Sequence, residues 1–168
     1  MSRTLLLSLI VFGPMLLEAR RSRRNDRWLR SEGAVEPGGD VYRLMQVAYP
    51  GSFLVMILEG WVRSSPGPWT LAGATIFAAG KVLKYWAIAT LGPRWTFRVL
   101  VPPGAPRVAH GPYRWLRHPN YAGVACELAG IALVAPAPAT GVLSIAIFGS
   151  LMLARIRVEE RALDVCGR

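Results

Sequence analysis

Cysteine and histidine are almost missing from this 168-residue chain, which has two of each. Cys126 falls inside an apolar run and Cys166 near the end, and neither they nor His110 and His118 show metal-ligand spacing. A disulfide framework is therefore excluded and no metal site is expected. Acid is scarce as well, with 10 Asp and Glu against 20 Lys and Arg, for a net charge of +10. No glycine-rich phosphate loop, Ser-x-x-Lys pair or Cys-His dyad stands out, which removes several familiar nucleophilic and nucleotide-binding devices. There is no internal repeat, low-complexity tract or soluble second domain, and length bounds residues 1–168 to one domain.

What the chain does have is apolar residues, 52% of the total, with its charge gathered in blocks between them. Such blocks are the pattern of a membrane protein. Thr4–Leu17 is the first apolar run. Only Arg3 precedes it and no small-x-small cleavage site follows, so a retained membrane helix is expected in place of a signal peptide. Arg20–Arg30 is the densest basic block. Directly after a hydrophobic segment, such a block marks the cytoplasmic side and meets anionic headgroups, so membrane lipids and no nucleic acid are expected as partners. Glu32–Asp40 is a glycine-rich loop.

Further apolar runs cover Val47–Val62, Trp69–Ala89, Tyr121–Val134 and Thr140–Ala154. They are separated by the Ser64–Pro68 turn, a proline-broken basic linker over Leu91–His110, and the Pro136–Pro138 turn. In the linker, Trp95, Phe97 and Val99 alternate with Thr96 and Arg98, which predicts a short interfacial extended piece. Lys81 and Lys84 share one helical face, and snorkelling to the interface is the default for them. Arginines crowd the connections after runs one and three and the tail after run five. The expectation is an all-α integral membrane protein with about five transmembrane helices, amino terminus outside and carboxyl terminus cytoplasmic, multi-pass in a bacterial inner membrane.

The chemistry-bearing stretch is Gly111-Pro112-Tyr113-Arg114-Trp115-Leu116-Arg117-His118-Pro119-Asn120-Tyr121-Ala122-Gly123. Its prolines predict turns, with Pro119 in the first turn of a helix running on through Glu127. Cationic and aromatic side chains thus stand at the mouth of a helix, on the same expected face as Glu159 and Glu160. Arginine can clamp a carboxylate and a carboxylate can hold an ammonium or ribose hydroxyls, while tyrosine faces accept a cationic or planar group. S-adenosylmethionine carries all of these features. Glu127, inside an apolar run, is either functional or paired with Lys81 or Lys84.

Arg117-His118-Pro119-x-Tyr121-x-Gly123, preceded by Gly111-Pro112-Tyr113 and followed after two helices by Glu159-Glu160, resembles the isoprenylcysteine carboxyl methyltransferase family of integral membrane enzymes. The resemblance covers roughly Lys84 to Leu163. It implies S-adenosylmethionine bound at the cytoplasmic face by residues of about 84–123 and 155–168, and a lipophilic or lipidated acceptor entering from the bilayer. The residues it assigns to the cofactor are Tyr113, Arg117, His118, Tyr121, Gly123, Glu159 and Glu160, with Arg117, Glu127 and Glu160 as catalytic candidates. The family's tail usually continues past its glutamate pair, whereas Arg168 ends this sequence soon after. The segment Tyr85–Gly92 with Trp95-Thr96-Phe97 is also similar to family members that methylate hydroxyls of alkylpyrones or alkylresorcinols. The acceptor group is accordingly either a carboxyl or an acidic hydroxyl. Two other readings stand beside the methyltransferase: a membrane sterol-type reductase using NADPH, and a non-catalytic basic membrane anchor.

Overall fold

The computed structural model describes residues 3–63, 67–104 and 106–166, with side chains as far as Leu163. It is all-helical: α1 (Arg3–Ser31), α2 (Tyr42–Arg63), α3 (Thr70–Leu91), α4 (Pro119–Val134) and α5 (Pro138–Cys166). Two 3₁₀ turns, Gly92–Arg94 and Gly111–Arg114, flank the linker. The expected Ser64–Pro68 turn has its residues 64–66 outside the described part, as are Arg168 and the side chain of Cys166.

The organising contact is between α3 and α4, which run antiparallel with their backbones nearly touching. A Cβ at Gly73 would lie 2.7 Å from the Gly130 carbonyl oxygen, and one at Gly80 would lie 2.8 Å from that of Gly123. The reverse holds too, at 2.7 Å and 2.8 Å, so the two glycine pairs are reciprocal. Each pair recurs after seven residues, two helical turns, which keeps the glycines on one face of each helix. α4 then packs on α5 and α2 through its other sides. The apolar core gathers Val11, Phe53, Met56, Phe77, Leu128 and Phe148, one or two side chains from each helix.

The outward faces of the other four helices are largely apolar, outside the arginine-rich second half of α1 and the charged end of α5. Leu5, Leu9 and Leu16 of α1, Leu54 and Trp61 of α2, Leu71 and Val82 of α3, and Val142 and Leu153 of α5 are all exposed. Among the described helices, Pro138–Leu163 is long and apolar enough to cross a membrane by length and composition.

The arginine block forms the second half of α1, which runs on through it to Ser31. Glu18, Ser22, Asn25 and Leu29 form a buried stripe at helical spacing, while Arg23, Arg24 and Arg27 remain outside. The Trp95–Val99 piece is no interfacial strand. Trp95 and Val99 are buried, and the extended geometry amounts to one antiparallel bridge between Val35 and Val101. Lys81 and Lys84 do not snorkel. They are buried between α1 and α4, where burial of a lone ammonium is costly and two carboxylates compensate it.

Side-chain hydrogen bonds to backbone fix the linker. Asn25 Nδ2 donates to the Trp95 carbonyl at 2.7 Å and to that of Gly92 at 3.2 Å, and the Phe97 amide donates to Ser22 Oγ at 2.8 Å. Glu36 in the α1–α2 loop receives Arg30 and Arg98, each at 2.6 Å. Gly92 ends α3 with φ +58°, and Gly111 opens the second 3₁₀ turn at φ +59° against Thr90, conformations in which a side chain would be strained.

Candidate active site

The carboxyl ends of α1, α3 and α5 and the amino ends of α2 and α4 meet at one end of the bundle, and the motif residues lie there. Pro112 and Pro119 are buried, anchoring a turn whose intervening Arg114, Trp115 and Arg117 point outward. Pro119 occupies the first turn of α4, where its missing N–H leaves no helical bond unmade. His118 Nε2 lies 3.2 Å from Glu160 Oε1, with Arg117 Nη1 at 3.8 Å from the same oxygen. Tyr121 donates its hydroxyl to Glu159 Oε2 at 2.8 Å. Neighbouring glutamates on α5 thus both turn toward the start of α4, Glu160 to His118 and Glu159 to Tyr121.

Electrostatics follow from those contacts. The hydrogen bond from His118, and then the positive field of His118, Arg117 and Arg107, hold the Glu160 carboxyl below the usual carboxylate range. Burial, and then the nearby Glu159 carboxylate, push the Tyr113 phenol up, so it is a neutral aromatic surface at any working pH.

These side chains line a cavity of about 350 Å³, together with Trp95, Asn120, Arg155 and two stretches of the linker, Val99–Pro102 and Pro106–Ala109. Tyr113, Arg117, His118, Tyr121, Glu159 and Glu160 are all on its wall. Two of the named candidates are elsewhere. Gly123 faces α3, where a Cβ would meet the Gly80 carbonyl. Glu127 is 1% exposed within the bundle, 3.0 Å from Lys81 and 3.5 Å from Lys84, and accepts a hydrogen bond from the Tyr49 hydroxyl. Glu18 completes that group, 2.7 Å from Lys84 and 3.4 Å from Lys81.

Sequence reasoning missed the residue that braces the site. Arg155 Nη1 lies 3.0 Å and 3.3 Å from the two oxygens of Asp40, its Nε donates to the Tyr121 hydroxyl at 2.8 Å, and its Nη2 donates to the Phe97 carbonyl. Asp40 also receives the Tyr42 and Val99 amides. The only signal was a lone aspartate ending a glycine loop, 115 residues from its partner.

A second cavity of about 360 Å³ lies against the first, lined largely by apolar residues such as Phe12, Met15, Met45 and Phe148. Trp95, Thr96, Asn120, Tyr121 and Arg155 belong to both linings and form the shared wall. Tyr49 and Lys84 border its far side. Volumes of this order suit small-molecule ligands, which typically occupy about 300–1,000 Å³.

Fold and site together define a helical protein with a cavity that carries side chains of both charge signs, backed by a more apolar one. The profile of the isoprenylcysteine carboxyl methyltransferase (ICMT) family matches residues 73–165, and the chain belongs to that family of membrane-associated methyltransferases. It is 35% identical over 145 residues to the "Uncharacterized protein YpbQ" of Bacillus subtilis, covering 85% of this chain and 86% of that one. An "Uncharacterized protein" of Haemophilus influenzae is 24% identical over 143 residues, 84% of this chain and 83% of its own. No solved structure matches the chain significantly.

Proposed function

We propose that this protein transfers a methyl group from S-adenosylmethionine to an oxygen of a lipophilic acceptor, at the cytoplasmic face of a bacterial inner membrane that it crosses with several helices. One observation carries the reading: a cavity bearing both charge signs and aromatic faces shares a wall with an apolar cavity of similar size. The donor set fits the cofactor. Arg117, 84% exposed along its side chain, is free to swing onto a carboxylate, and Glu160 and Glu159 offer acceptors to an ammonium or to ribose hydroxyls. Tyr113 and Trp95 supply flat surfaces for a ring or a sulfonium. When bound there, S-adenosylmethionine supplies a methyl group activated by its sulfonium.

The chain's own residues then have to align an acceptor and exclude water. Trp95, Asn120, Tyr121 and Arg155, held by Asp40, Asn25 and Ser22, keep the shared wall fixed. Gly123 contributes through close approach of α3, and Glu127 through Lys84 and Tyr49, which border the apolar cavity. The apolar outward faces support the membrane setting, since exposed apolar patches of this extent are unusual in soluble monomers.

Calorimetry on the detergent-purified protein tests the cofactor: S-adenosylmethionine should bind, and binding of NADPH alone would overturn the reading in favour of a reductase. Labelled S-adenosylmethionine with host membrane lipids should then yield one labelled lipophilic product. For topology, Ser31→Cys and Gly67→Cys should be labelled from opposite membrane sides. Labelling of both from one side would rule out the crossing pattern.

A further inference from the structure

The turn between the two buried prolines carries side chains that the candidate site does not use. Trp115 is 68% exposed, and Arg114 and Leu116 face outward beside it. The Trp115 ring packs on Trp86 of α3, with centroids 5.8 Å apart, and Trp86 is exposed as well. Neither indole N–H has a hydrogen-bond partner among the described residues. Arg114, over the Trp115 ring at 6.0 Å, has no carboxylate partner among them either. A lone exposed apolar residue needs no explanation, but here two indoles, a leucine and a cation form one surface with donors left open.

Depth along α3 indicates what faces that surface. Trp69, 66% exposed, stands just ahead of α3, and Trp86 follows it by seventeen residues, about 26 Å at helical rise. Between them Leu71, Ile76 and Val82 are exposed. The result is an apolar band close to the ~30 Å of a hydrocarbon core, with an indole at each border. The glycine register then fixes the depth of the motif. Gly123 lies against both Gly80 and Lys84, so Pro119, four residues earlier on the antiparallel α4, stands level with Trp86. The turn carrying Arg114 and Trp115 therefore lies at the border of the band.

We propose that Trp86, Trp115 and Leu116 dock the motif turn into the lipid leaflet at this end of the bundle, and that Arg114 holds the phosphate of an anionic phospholipid headgroup there. This rests on the membrane setting above and not on the methyl transfer. Indoles favour this layer because the ring is apolar while its N–H reaches ester and headgroup oxygens. The Arg114 guanidinium can give paired donors to a phosphate. A zwitterionic headgroup brings its own cation to that phosphate, whereas an anionic one leaves it open to arginine. Arg117 is two residues on from Trp115, so the mouth of the polar cavity opens among headgroups. Lipid steadies the turn from outside, as the buried Pro112 and Pro119 do from inside.

The test places the full-length protein in phosphatidylcholine vesicles and reads tryptophan fluorescence. The Trp115 signal is the difference between wild type and Trp115→Phe, and Trp86→Phe gives the other ring of the pair independently. Phosphatidylcholine brominated near the headgroup end of its chains should quench both signals more than lipid brominated near the terminal methyl. A small share of shallow-brominated phosphatidylglycerol should quench Trp115 more than the same share of shallow-brominated phosphatidylcholine. The expected local enrichment is about fivefold, the effect of one basic residue at a leaflet surface. Arg114→Gln should remove that preference while its melting temperature in detergent stays within a few degrees of wild type. A Trp115 signal quenched by iodide from water and by neither lipid would overturn the docking. So would a signal shielded from iodide and lipid alike, which would put a second copy of the chain or another protein over the rings. Equal quenching by the two headgroups, or a preference that persists in Arg114→Gln, would overturn the phosphate role. If the remaining tryptophans are quenched by lipid and this pair is not, the docking alone falls. If no tryptophan is quenched by either brominated lipid, the membrane setting falls with it.

Discussion

Two groups of mixed charge stand along α4, and they differ in nearly everything but composition. Glu18, Lys81, Lys84 and Glu127 are enclosed by the bundle, with side chains 1–11% exposed and two cations facing two anions. Arg117, His118 and Glu160 stand at the cavity mouth with side chains 84%, 18% and 38% exposed. In the buried group each charge exists to answer another. Even so, Glu18 Oε2 and Glu127 Oε1 lack a well-directed hydrogen bond, so the cluster holds its place by pairing rather than by ideal geometry. In the mouth the contacts are longer and more exposed, and an incoming zwitterion can replace them at little cost. Burial decides whether the same residue types act as a fastening or as a receptor.

The largest expected effect comes from breaking the buried group. Glu127→Ala leaves two enclosed ammoniums with one carboxylate and should lower stability by about 3–5 kcal/mol. Thermal unfolding in detergent checks this, and an unchanged melting temperature would show that the cluster is hydrated after all. Asp40→Asn should cost less, about 1.5–3 kcal/mol, because the amide still accepts a hydrogen bond from Arg155. Since Arg155 lies on the shared wall, this variant is also expected to weaken S-adenosylmethionine binding, measured by calorimetry. Glu160→Gln should do the opposite of Glu127→Ala: melting stays within a few degrees, while cofactor affinity falls about tenfold or more as a charge-assisted hydrogen bond is lost. A drop in melting temperature with affinity intact would make Glu160 structural.

The smallest effect is in pH. The folded Glu160 carboxyl sits below its ordinary value of 4.5, so its charge is present above that value and is lost only as pH falls through the lower, folded one. The affinity difference between wild type and Glu160→Gln should therefore stay constant from neutrality down to about pH 4.5 and shrink only below it. A difference that already vanishes by pH 6 would assign the effect to another group.

The helices were legible because each apolar run is long and its boundaries carry proline or glycine. The Arg117–Tyr121 motif and the glutamate pair were legible because their spacing is unusual, and the cavity wall does bring them together. What could not be read was pairing across distance. A lysine in an apolar run looks the same whether it reaches water or a carboxylate on another helix, and Lys84 found Glu18. Arg155 pairs with Asp40, which lies in a loop 115 residues away, and nothing local to either residue marks the pair. The arginine block hid its inner face because arginines dominate its composition while Ser22 and Asn25 do the packing.

The glycine contacts between α3 and α4 bear on how a guest gets in. With backbones touching at Gly73–Gly130 and Gly80–Gly123, these two helices cannot shear or part without losing dense packing along their length. Any breathing that admits a long hydrocarbon must then come from α1, α2 and α5, whose side chains make up most of the apolar cavity. The spine stays rigid while the outer staves move. We expect amide exchange to be slowest along Gly73–Lys84 and Gly123–Gly130 and faster in α1 and α2. Gly80→Val, by wedging the spine apart, should erase that contrast.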